Sequence, residues 1–76
     1  MMSNVRLYTV KETAEILKST KNYVYDLVRS GRLPAIKLGS LKIREEALYN
    51  FLCQYENWDL TNVDNIVRIE VQETAS

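Results

Sequence analysis

Histidine is absent from this 76-residue chain, cysteine, proline and tryptophan occur once each, and glycine occurs twice. Without histidine the common zinc sites and the imidazole general bases cannot be assembled. A single cysteine, Cys53, leaves no intramolecular disulfide, which suits a reducing compartment. No apolar run approaches the roughly 18 residues that a bilayer crossing needs, and the N-terminus lacks the apolar core of a signal peptide. The expectation is a soluble, cytoplasmic protein with no membrane partner. Neither a phosphate-cradling glycine loop nor a nucleophile–base pair is present, so no enzyme is expected and no cofactor is implied.

What remains is enough for one small folded domain. Hydrophobic residues make up 46% of the chain, which argues against wholesale disorder. The net charge is zero, but it divides unevenly. Residues 1–55 carry nine Lys or Arg against five Asp or Glu, whereas residues 56–76 carry one Arg against five acids. A basic body over 1–55 is therefore followed by an acidic C-terminal extension over 56–76.

Thr9 and Glu12 form a capping-box pattern ahead of Val10, Ala14 and Leu17, which share one helical face, and predict a helix over 10–17. Thr20 is a natural N-cap for a second helix, in which Val24, Leu27 and Val28 form an inward stripe. Gly31 stands where a left-handed residue ends a helix at least cost. Only Lys18 and Ser19 separate the two helices, as in a helix-turn-helix. A third helix is predicted over 45–55, with Glu45 and Glu46 at its positive end and Leu48, Phe51, Leu52 and Tyr55 at core spacing.

Both glycines and the only proline fall in one stretch, SGRLPAIKLG. Gly31 stops the second helix and Pro34 prevents its resumption. The alternating runs AIKL and LKI, with a Gly39-Ser40 turn between them, then predict a β-hairpin wing. Leu33, Ile36, Leu38, Leu41 and Ile43 are expected to pack it against the helices. The fold class is therefore mainly α with a small hairpin. The final run, IVRIEV, alternates as a strand does but also fits a helix; its β-branched content favours a strand.

The stretch YTVKETAEILKSTKNYVYDLVRSGRLPAIKLGSLKIREEALYNFL resembles the excisionase-type winged helix-turn-helix domains, small relatives of the MerR-type DNA-binding domain. The motif that carries most of the likeness is VYDLVRSGRLPAIKLG. The resemblance implies double-stranded DNA as partner, with the second helix in the major groove and the wing by the minor groove or backbone. It also implies a choice of roles in a prokaryotic cell or its mobile element. One is a recombination directionality factor working with an integrase or recombinase; the other is a transcription regulator acting on RNA polymerase. The chain departs from the pattern at Asp26, where a basic residue is frequent, and in its short, weakly basic wing turn.

The candidate DNA contacts follow from that docking. Thr20, Lys21, Asn22 and Tyr23 form the start of the second helix, where lysine suits guanine and asparagine suits adenine. Tyr25 is placed to reach a phosphate or to pack beneath the wing. Arg29 and Arg32 flank Gly31 and suit phosphate oxygens, though Arg29 equally suits the helix C-terminus. Lys37, Lys42 and Arg44 alternate with apolar residues, so they are expected together on the face opposite the core. Trp58 is expected to cover the third helix and IVRIEV to pair with the wing, or else this run is a partner-binding element. One recognition helix reads few base pairs, so several copies on adjacent sites, DNA bending or a protein partner are expected. A different class also fits: an interaction module in which the acidic extension binds a partner or occupies the DNA surface.

Overall fold

In the computed structural model, which describes residues 5–69, three helices pack against a small antiparallel sheet. The first helix, α1 (Val10–Ile16), opens with the expected capping box. Glu12 N donates to Thr9 Oγ1 at 3.1 Å, and Thr9 N donates to Glu12 Oε1 at 2.9 Å. Thr20 caps α2 (Lys21–Arg29), its hydroxyl accepting from Tyr23 N at 3.2 Å. The third helix, α3 (Glu45–Gln54), begins with two acids in its first turn.

Both helix-turn-helix exits are closed by the same pair of backbone bonds. After α2, Gly31 N donates to Val28 O and Arg32 N to Leu27 O, with Gly31 at φ +81°. After α1, Lys18 N donates to Glu15 O and Ser19 N to Ala14 O. These are Schellman closures. At the first of them the left-handed position is filled by Lys18, at φ 55°, rather than by glycine.

The sheet has one strand more than the predicted wing. Strand β1 (Leu7–Thr9) pairs antiparallel with β3 (Ser40–Arg44), which also pairs with β2 (Ile36–Leu38), in the order β1-β3-β2. Tyr8 lies opposite Ile43, and Glu45 N donates to Arg6 O, so the chain before α1 is tied to the start of α3.

The wing's register differs from the expected one. A two-residue Gly39-Ser40 turn would set Leu38 opposite Leu41. Instead Ser40 belongs to β3, Leu38 pairs with Ser40, Lys37 with Leu41, and Ile36 with Lys42. The parity is fixed at both ends. Leu33 is buried, Ala35 packs on the core, and Ile43 is buried opposite Tyr8. Alternation from Leu33 and Ala35 then turns Ile36 and Leu38 away from the helices. Both are exposed, contrary to the expectation that they pack on the helices.

The core is Val10, Ala14, Val24, Leu27, Leu33, Ile43, Leu48 and Phe51, with Leu17, Tyr23, Val28, Leu41 and Tyr55 at its margin. Leu60 and Val63 from the extension also pack on it. Thr13, buried within α1, satisfies its hydroxyl by donating to Thr9 O at 2.9 Å.

Among the described residues, the IVRIEV run pairs away from the wing. Within it, β5 (Val67–Arg68) pairs with β4 (Trp58–Asp59) in a separate two-stranded sheet, entered through Asn57 at φ 77°. The Arg68 guanidinium stacks over the Trp58 ring, 5.2 Å from its centroid. Glu70 and Val71 of the expected strand, and the acidic Glu73, lie outside the described residues.

Candidate nucleic-acid interface

Helix α2 presents three stripes. Val24 and Leu27 are buried in the core, with Val28 at its margin. Lys21, Tyr25 and Arg29 repeat every four residues, with Asn22 beside them, and all four are exposed. Thr20, Lys21 and Asn22 thus form a solvent-facing first turn that offers both donors and acceptors.

The third stripe is Tyr23, Asp26 and Ser30, and it faces the extension. Tyr23 donates its hydroxyl to Leu60 O in a short bond. Burial, followed by the charges of Asp59 and Asp26, raises its pKa above the ordinary 10.0. Arg32 Nε donates to Val63 O at 3.2 Å. Two of the residues expected at DNA, Tyr23 and Arg32, therefore fasten residues 60–63 to the body. Beside Tyr23 lies a polar groove of about 630 Å³ lined in part by Asp26, Arg29, Asn62 and Asp64. Asp59 accepts from both Thr61 N and Thr61 Oγ1, which holds its carboxyl below the usual range and orders the start of this loop.

The basic residues are not equally free. Arg29 pairs with Asp26 one turn back, and Arg44 Nη1 pairs with Glu46 Oε1 at 3.0 Å, both at exposed positions worth little to stability. Among the described residues Lys21, Lys37 and Lys42 have no carboxylate partner. Lys42 Nζ donates to Ser40 Oγ at 2.8 Å along the wing.

The wing does not group its three cations as expected. Paired residues share a face, so Lys42 and Arg44 lie with Leu7, Ile36 and Leu38, whereas Lys37 lies with Leu41 and Ile43. Lys37 is nonetheless exposed. The outer face is thus a mixture of two cations and three apolar side chains. Sequence reasoning missed Ile36 and Leu38 on this surface. The signal was the alternation from buried Leu33 through Ala35, which a one-residue change in turn length overrides.

Comparison with known proteins agrees with this architecture. The helix-turn-helix domain profile matches residues 7–55, from β1 to the end of α3. Uncharacterized protein YvgK of Bacillus subtilis is 39% identical over 51 residues, which is 66% of this chain and 17% of that protein. "Putative DNA-binding protein Rv0500A" of Mycobacterium tuberculosis is 35% identical over 51 residues, covering 66% of this chain and 65% of that protein. The chain thus aligns with less than two thirds of either relative's length. No solved structure matches. With the profile spanning both helices of the turn, the wing and α3, the chain belongs to the helix-turn-helix domain family.

Proposed function

We propose that the chain binds double-stranded DNA, with α2 in the major groove and the wing on the adjoining backbone or minor groove. The observation that carries this reading is the exposed stripe of Lys21, Asn22, Tyr25 and Arg29, whose first turn offers lysine and asparagine to base edges. The mycobacterial relatives, named as putative DNA-binding proteins, support the same reading. Lys37, Lys42 and Arg44 supply phosphate contacts, which position the domain without reading sequence.

A single short helix specifies few base pairs, so the domain acts as several copies, by bending DNA, or with a protein partner. The excisionase-like resemblance favours an architectural role beside an integrase. A small transcription regulator is the alternative, and an adjacent recombinase gene separates the two.

The test is a mobility shift on duplex selected from a random pool, set against unselected duplex. Asn22→Ala is expected to cost about 1–3 kcal/mol on the selected duplex and much less on the unselected one. Equal losses on both would restrict Asn22 to the backbone. No shift at low salt for the full chain would return the protein to the interaction-module class.

A further inference from the structure

The outer face of the wing is exposed, partly apolar and basic. Ile36 is 41% exposed and Leu38 is 56% exposed, although the alternative register would have turned both towards the helices. Both lie on β2, with Leu38 next to the apex at Gly39, whose φ of +81° allows the reversal to be made around a single residue. Lys42 pairs directly with Ile36, and Arg44 with Leu7, so cations stand beside the apolar side chains on one surface. Strand β2 is also an unpaired sheet edge only three residues long. A flat apolar edge is a liability that soluble proteins usually blunt, and here the blunting charge, Lys37, projects on the other face.

From this arrangement, and resting on the DNA-binding reading above, we propose that the wing inserts into the minor groove with Leu38 as an apolar wedge. Ile36 backs the wedge, and Lys42 and Arg44, both on β3 and so on one side of Leu38, reach phosphates along one wall of the groove, Arg44 by exchanging its exposed Glu46 partner for a phosphate. The charge complementarity selects the occupant. An apolar protein partner has no use for two cations set among the leucine and isoleucine, whereas a groove walled by phosphates does. Apolar side chains that enter from the minor groove partly unstack a base step and kink the duplex towards the major groove. Pyrimidine–purine steps open most readily, so the wedge would give preference for such a step beside the sequence read by α2. The wing then does more than hold the backbone: it reads deformability.

The experiment uses the full chain on a duplex selected from a random pool, labelled at its ends for energy transfer and carrying 2-aminopurine at successive flanking positions. Wild type is expected to shorten the end-to-end distance and to brighten 2-aminopurine at one flanking step. Leu38→Ser should abolish the brightening and most of the bend, with the salt dependence of binding unchanged. Leu38→Phe should restore both. Lys42→Gln should do the opposite, lowering the salt slope by about one phosphate contact while the brightening at saturation persists. Because Leu38 is exposed, thermal melting of each variant should match wild type, and Ile36→Ser provides a second test at an independent position. Bend and fluorescence that are unchanged in Leu38→Ser and Ile36→Ser would overturn the wedge and leave DNA binding intact. Dimerisation without DNA that Leu38→Ser abolishes would overturn it in favour of a second copy on this face. Failure of wild type to bind any duplex would remove both the wedge and the reading on which it rests.

Discussion

Asn22 and Tyr23 are neighbours in sequence and have opposite surroundings. Both types suit a DNA-facing first turn, and nothing within α2 separates them. Asn22 is exposed, whereas Tyr23 is half-buried and bonded to Leu60 O, a residue 37 positions away. The side of a helix that a non-local segment covers cannot be read from the helix alone, which is why Tyr23 and Arg32 were legible as polar contacts but not as fasteners. Tyr23→Phe should loosen residues 58–63 at a cost of about 1 kcal/mol, the net value of one such hydrogen bond. Trp58 emission during thermal unfolding measures it. The pH dependence has a definite sign. A raised tyrosine pKa means that the folded state holds its proton more tightly. The bond's stabilisation is therefore fully present below the ordinary 10.0 and is lost as pH rises through the folded-state value. The alkaline change in Trp58 emission should be missing from Tyr23→Phe; if it persists unchanged, another group controls it.

At the scale of elements, the helices were the most legible part. The boundaries of α1 and α2 follow from Thr9, Thr20 and Gly31, because capping and left-handed closure are local chemistry. The two helix exits also make a paired prediction. Lys18 occupies a left-handed position, φ 55°, where glycine avoids the Cβ penalty. Lys18→Gly should raise stability by up to about 1 kcal/mol. At Gly31, φ is +81° and a Cβ would meet open space, so Gly31→Val should lower stability by more than about 1 kcal/mol through backbone strain alone. Chemical denaturation of both variants checks the pair, and shifts in the same direction would contradict it. The wing was legible as a hairpin and not in its register. Strand β1 went unread because its three residues, Leu7–Thr9, merge into the cap of α1 and gain strand character only from β3.

For the whole molecule, the division of charge is the feature with the widest consequence. Residues 60–64 of the extension lie along the flank of α2, with Asp64 and Asp26 lining one groove beside Arg29. With α2 docked in the major groove as proposed, acids there would oppose phosphates next to its exposed stripe. Asp64→Asn should tighten binding to random duplex at low salt, and the advantage should shrink as the screening length falls to about 10 Å near 0.1 M. Equal affinities at low salt would make this acid electrostatically remote from DNA. The central claim concerns which surface meets the duplex, and backbone amide shifts of the nitrogen-15-labelled chain on titration with selected duplex test it most directly. The expected result is movement of Lys21, Asn22, Tyr25 and the wing residues 36–44, with the amides around Leu17 and Trp58 nearly still. Shifts concentrated instead in the groove between Leu17, Phe51 and Trp58, with Lys21 and Asn22 unmoved, would contradict the account.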